Sequence, residues 1–343
     1  MGIILAIILF GFIVIFHELG HFLMARLNGI EVEEFALGMG PLLVSKEYKG
    51  TRYCIRALPI GGACMMGEDD EATGEEGNFH SKPVWARIMV IAGGPVFNFI
   101  LAFVLAVILT AMVGYDPPIV GNISPGSPAE EAGVKAGDEI VEMGNKKINI
   151  FREISAYNQF HPGETVDVTY ERDGERHTVS ITPEYDKELK YYFLGLSREP
   201  NKKAGFLTAL QYGAYEVKYW ICVTASGLKM LLTGQVGLDQ VSGPVGIVDM
   251  VDDAYHSSVD YGISMIVANM MNMAILLSAN LGVMNLLPIP ALDGGRLVFL
   301  LVEAVRRKKV APEKEGYVHF IGFALLMALM VFVLYNDIRR LFL

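Results

Sequence analysis

Two histidines and a glutamate stand together in His17-Glu18-Leu19-Gly20-His21, within an unbroken apolar run. On a helix, positions four apart share a face, so both imidazoles can reach one zinc ion. Glu18 is then placed to take a proton from water at that ion. Ionisable groups are costly in lipid and mark function when they occur within an apolar helix; the competing reading is a polar cluster that packs helices together. A catalytic zinc takes three protein ligands and keeps one position open. His80, His161, His177, His256 and His319 fall outside the apolar stretches and read as surface histidines. Asp293 is the better third candidate. It sits in an apolar block just after Pro288 and Pro290, which break the helix ladder and free the backbone to turn inward. Gly294-Gly295 then permits close approach. The competing reading of Asp293 is a helix cap at the membrane surface.

Three amides lie in the same apolar blocks. Asn98 follows Gly94-Pro95-Val96-Phe97 and is either a polar group near the site or a hydrogen-bonding link between helices. Asn280 and Asn285 can likewise link helices, or can hold the backbone of an extended peptide. A peptide bond in a membrane helix is protected by its own hydrogen bonds, so a protease acting there must unwind it and pair the freed groups. Strands within 30–60 can do so by edge addition.

These residues have to be held by membrane-spanning elements. The 343 residues are 52% hydrophobic, with a mean hydropathy of +0.38, well to the apolar side of a soluble domain. The excess is concentrated near 2–25, 88–114, 262–290 and 317–335, each about long enough to cross a bilayer. The expected class is a polytopic α-helical membrane protein of about four spans, with a membrane-associated β-hairpin and an inserted α/β domain. A first span over 1–27 ends at Asn28-Gly29; it lacks a basic leader and a small-residue cleavage site, so it reads as retained. The hairpin region covers 28–64, with strands at 30–35 and 51–58. An acidic loop over 65–87 contains the run Glu68–Glu76 and reads as solvated. A second span covers 88–114 and the inserted domain 115–200, with a hairpin turning at Arg172-Asp173-Gly174. An interfacial helix and linker fill 201–260, a fifth span over 205–232 being the alternative. A third span over 261–305 carries Asp293, and 306–343 holds a basic loop and the fourth span.

Arg306-Arg307-Lys308-Lys309 is the strongest basic cluster, which puts its loop in the cytoplasm and the inserted domain outside; Arg339 and Arg340 disagree mildly. The net charge of −10, with no basic patch, argues against a nucleic-acid partner. Three cysteines, Cys54, Cys64 and Cys222, without paired short spacing, provide neither a disulfide framework nor a cysteine zinc site.

Four segments occur in order: His17-Glu18-Leu19-Gly20-His21, Gly94-Pro95-Val96-Phe97-Asn98, Ser242-Gly243-Pro244-Val245-Gly246-Ile247, and Asn285 through Gly294. Together they resemble the bacterial site-2 proteases, in the branch called regulator of sigma-E protease. The likeness runs over nearly the whole chain and implies a PDZ domain between the second and third spans. It implies zinc on His17, His21 and Asp293, a catalytic base at Glu18, and substrate contacts from Asn280, Asn285, Pro288 and Pro290. It also implies a membrane-dipping hairpin over about 30–62. Members cut transmembrane segments of single-pass proteins, anti-sigma factors or remnant signal peptides, in the bacterial cell membrane after a site-1-type protease has trimmed the outer part. This chain has room for one PDZ domain where some members carry two. Phe193-Leu194-Gly195-Leu196 resembles the loop with which PDZ domains grip a peptide C-terminus; the domain can instead act only as a steric filter. Two rivals stand beside this reading. A peptide-binding scaffold would need neither Glu18 nor zinc. A metal transporter would spread its polar residues along a path across the spans.

Overall fold

The computed structural model describes residues 2–66, 77–187, 191–237 and 241–342; the acidic run Glu68–Glu76 lies outside them. By internal contacts the chain forms two units, Met1–Ala102 with Val236–Leu343, and Phe103–Gln235.

In the first unit, α1 (Gly2–Leu27) is an apolar run without proline. Asn28 stops it: its amide donates to the Met24 carbonyl at 2.8 Å, and Gly29 follows with a φ of +65°. Two strands then form a twisted hairpin, β1 (Val32–Tyr48) and β2 (Thr51–Met66), longer than the sequence periodicity indicates. Lys49 and Gly50 both have positive φ, as the tight turn between right-twisted strands requires. The register is interrupted where glycines bulge the strands. As a result Phe35 and Ala36 have β2 residues on both sides, Tyr53 and Cys54 on one and Cys64 and Ala63 on the other. Next comes α2 (Val84–Val113), with Pro95 inside it. A small core of Ala25, Ile30, Val32, Met66, Val90, Ile91 and Leu300 ties α1, the hairpin and α2 together.

The second unit holds the inserted α/β domain. In chain order it contains β3 (Val120–Ile123), α3 (Pro128–Glu131), β4 (Glu139–Met143), β5 (Lys146–Lys147), α4 (Arg152–Phe160), β6 (Val166–Arg172), β7 (Glu175–Ile181), β8 (Glu184–Asp186), β9 (Tyr191–Phe193) and β10 (Leu196–Arg198). The main sheet runs β5-β4-β6-β7, with β10-β3 and β8-β9 as separate pairs. Its core is apolar, built on Val120, Ile140, Met143, Ile154, Val168 and Leu194. The fork of Arg172 meets the buried Asp138 carboxylate through two bonds of 2.7 Å. Between β9 and β10, Gly195 has a φ of +85° and turns the chain. The unit ends in α5 (Phe206–Leu232), whose Glu216 pairs with Arg152.

The first unit resumes with α6 (Pro244–Val259), a helix within the segment that the sequence indicates as linker. Asp337 supplies its cap, accepting from the N–H groups of Gly243, Val245 and Gly246 at 3.0, 3.1 and 3.1 Å. The segment 261–305 is not one span. It divides into α7 (Ile263–Asn285) and α8 (Asp293–Arg306), because Pro288 and Pro290 cannot continue the ladder. The chain closes with α9 (Pro312–Phe342). Among the described residues, four helical segments are long and apolar enough to cross a membrane: Gly2–Leu27, Val84–Val113, Ile263–Asn285 and Lys314–Arg340. The helix α5 is not among them.

Candidate metal centre

Close helix contact builds the site. Gly20 of α1 and Gly93 of α2 face one another so tightly that a Cβ on either would strike the other's carbonyl. One residue on, a Cβ at Gly94 would collide with both the His17 and His21 rings. Glycines at these places let α2 press against the face of α1 that carries the imidazoles.

The His21 ring donates through Nδ1 to the Val90 carbonyl at 2.9 Å. A carbonyl only accepts, so the ring proton sits on Nδ1 and Nε2 presents a lone pair. At His17, Nδ1 faces the Asn98 amide nitrogen at 3.2 Å, and the buried Asn98 Oδ1 has no hydrogen-bond partner. Half a turn of that amide would offer Oδ1 to a proton on His17 Nδ1 and free Nε2 in the same way. Asn98 is itself fixed, its carbonyl accepting from Ser278 of α7 at 2.8 Å.

Asp293 completes the group from the first turn of α8. Gly294 packs on the carbonyls of Leu286 and Leu287, and Gly295 on that of Ile289, which coils the preceding turn tightly against the helix start. Asp293 Oδ2 is buried and meets no hydrogen-bond geometry; facing it are His17 Nε2 at 3.1 Å and His21 Nε2 at 3.4 Å. The two Nε2 atoms are 3.3 Å apart. Tetrahedral zinc ligands about 2.0–2.1 Å from the ion stand about 3.3 Å from one another. Two imidazole lone pairs and a carboxylate oxygen at that spacing repel each other unless a cation lies between them. The donor set therefore fits zinc, and the three residues form the single such group among the described residues.

Glu18 follows His17, with β2 lying over it. Its carboxylate accepts from the Cys64 backbone N–H. Gly62 leaves room for it, since a Cβ there would press on Glu18 Cγ. Nothing in the sequence around Gly62 reveals this contact, because its partner lies on another element.

Asn280 is half-buried within α7, Asn285 is its last residue, and Pro288 and Pro290 lie in the turn to α8. His319 is a correction to the sequence reading: its side chain is 18% exposed and it bonds to the Asp293 turn. Nothing in its local sequence signals this, because the partner is a backbone N–H distant in the chain. Phe193, Leu194, Gly195 and Leu196 belong to the other unit. There they line a cavity of about 570 Å³ together with Ser155, Asn158 and Gln159 of α4. Leu194 is buried in the domain core, and its carbonyl accepts from Ala129.

Residues 5–329 match peptidase family M50. A chain from Clostridium acetobutylicum with the provisional name zinc metalloprotease is 39% identical over 337 residues, covering 98% of this chain and 97% of that one. The regulator of sigma-W protease RasP of Bacillus subtilis is 36% identical over 426 positions, covering 99% of each. The zinc metalloprotease RasP of Geobacillus kaustophilus is 35% identical, covering 100% of this chain and 99% of that one. The Bacillus alignment is longer than the 343 residues here, so that relative carries inserted residues that this chain lacks. Among solved structures, the PDZ domain of an SdrC-like protein from Listeria monocytogenes aligns at 22% identity with a TM-score of 0.22, over 25% of this chain and 90% of that one.

Proposed function

The chain belongs to peptidase family M50, the site-2 proteases, and from that premise we propose that it is an intramembrane zinc metalloendopeptidase. Its substrates are membrane-spanning segments of single-pass proteins, anti-sigma factors or remnant signal peptides, cut in regulated intramembrane proteolysis after a site-1-type protease has acted. The observation that carries the reading is the mutual spacing of His17 Nε2, His21 Nε2 and Asp293 Oδ2, at 3.1 to 3.4 Å, beside Glu18.

His17, His21 and Asp293 would hold the zinc ion. When bound, zinc polarises the scissile carbonyl and makes water at the site acidic enough to deprotonate near neutral pH. Glu18 takes the proton from the attacking water and passes it to the amine nitrogen as the C–N bond breaks. The Cys64 N–H keeps the Glu18 carboxylate aimed. The substrate helix must first unwind, and its freed backbone groups then pair with the edge of β2 and with Asn280 and Asn285. Pro288 and Pro290 hold the turn open beside that path. The inserted PDZ-like domain admits trimmed substrates and excludes bulky ones, and the cavity at Phe193–Leu196 is where a peptide terminus would dock. The basic cluster Arg306–Lys309 favours a bacterial cell membrane location with the active site toward the cytoplasm and the inserted domain outside.

The test is cleavage of a panel of single-pass segments by the purified protein in detergent, with zinc measured on the same sample. Glu18→Gln is expected to keep about one zinc and lose cleavage, and His17→Ala to lose both. Full cleavage by Glu18→Gln would refute the role of that carboxylate.

A further inference from the structure

The turn that delivers Asp293 contains a strained residue. Ala291 has a φ of +77°, in the left-handed region that a residue with a Cβ seldom adopts. Strain of this kind persists only where neighbouring structure enforces it. Here the neighbour is α9. The Ala291 N–H donates to His319 Nδ1 at 2.9 Å. Accepting there places the ring proton on Nε2, on the side of Glu315 Oε1 at 3.8 Å. The His319 ring also packs against Phe299 of α8, with centroids 5.7 Å apart. About one turn along α9, Gly322 lies directly on Pro290, where a Cβ would strike the proline carbonyl. So α9 grips the turn at Pro290 and at Ala291, and Asp293 follows two residues later.

We propose that His319 is a positioning residue of the metal centre. By accepting the Ala291 N–H it holds the turn in its strained form, which sets Asp293 Oδ2 against His17 and His21. The proposal rests on the zinc reading given above. Without the imidazole acceptor, Ala291 can relax to negative φ. The first turn of α8 then rotates, and the carboxylate leaves the short Oδ2–Nε2 spacing that zinc ligation needs. A lost supporting contact of this kind lowers metal affinity by about 10–100-fold.

The test is zinc affinity by chelator competition on full-length protein in detergent, with helix content measured alongside. His319→Leu keeps the bulk and removes the acceptor; His319→Asn carries a carbonyl oxygen close to where Nδ1 lies. The expected result is zinc binding about tenfold or more weaker in His319→Leu, within about threefold of the parent in His319→Asn, and unchanged helix content in both. Equal affinities in all three proteins would overturn the proposal, as would equal losses in the Leu and Asn variants, which would assign the effect to ring packing. Should His319→Leu not fold, Gly322→Ala probes the same grip: weakened zinc binding is expected, and parent-like affinity overturns the proposal. A parent without stoichiometric zinc would overturn the metal reading as well, which separates the two failures.

Discussion

His17 can present a lone pair at Nε2 only when its proton resides on Nδ1, and the one side chain shown bonding to that nitrogen is Asn98. This amide should therefore matter to the metal more than to the fold. Asn98→Ala is expected to weaken zinc binding about 10–100-fold, whereas Asn98→Asp, which keeps an acceptor, retains most of it. Chelator competition measures both, and parent-like affinity in Asn98→Ala would remove the role. Gly94 makes a second demand at this scale. Because a Cβ there meets both imidazoles, Gly94→Ala should abolish stoichiometric zinc while α1 and α2 remain helical; bound zinc at parent levels would show that the rings can yield. The pair of histidines and Glu18 were readable from spacing on one helix. The tie from His21 to the Val90 carbonyl was not, because a backbone acceptor leaves no mark in side-chain identity.

Among the elements, α8 is held at both ends. Asp293 opens it, and near its other end Glu303 forms a buried ion pair with Arg87 of α2. Removing one partner of such a pair leaves a buried charge alone and costs about 3 kcal/mol or more. Arg87→Met should lower the thermal midpoint in detergent, and adding Glu303→Leu should restore much of the loss; a double variant no better than the single would rule out the charge as the cause. The hairpin carries a pH-dependent contact. The hydrogen bond from Arg56 is the main influence that holds the Glu34 carboxyl below its ordinary value of 4.5, helped by the charges of Arg56 and Arg52 and opposed by burial. A lowered folded pKa means stability that is complete above the ordinary value and lost as pH falls through the lowered one. The midpoint advantage of the parent over Glu34→Gln should therefore shrink on acidification, and an advantage that stays constant down to acid pH would contradict the assignment. Apolar length was enough to foresee helices over α1, α2, α7 and α9. The helix α6 escaped because its cap, Asp337, is distant in the chain; Pro288 and Pro290 marked a break in the ladder, but that a separate helix starts at Asp293 was not legible.

For the molecule as a whole, the two roles proposed for the inserted domain, size exclusion and peptide capture, are separable by experiment. If it excludes, replacing residues 116–200 by a short linker should let the enzyme cut a full-length single-pass substrate without prior trimming. If it captures, the same deletion should slow cleavage of the trimmed substrate. Comparing the two substrates on one deletion protein distinguishes these, and loss of all cleavage with zinc retained would favour capture. The cavity at Phe193–Leu196 has room for a peptide, but the buried Leu194 makes part of that segment domain core rather than free loop.

The sequence by itself determined which residues share a helix face within an apolar run and roughly where the spans run. Both follow from local physics: helical spacing brings His17 and His21 to one face, and a long apolar run has few other uses. It also singled out Asp293, because an acid among prolines and glycines in an apolar block demands an explanation. Tertiary structure decided the rest: that Asp293 Oδ2 lies about 3 Å from two imidazole nitrogens on another helix, that β2 covers Glu18, and that α9 braces the turn through His319. These are contacts between segments far apart in the chain, made by backbone groups and by glycines whose role is to leave space. No single-position pattern encodes such contacts, because their energy exists only once the helices have packed.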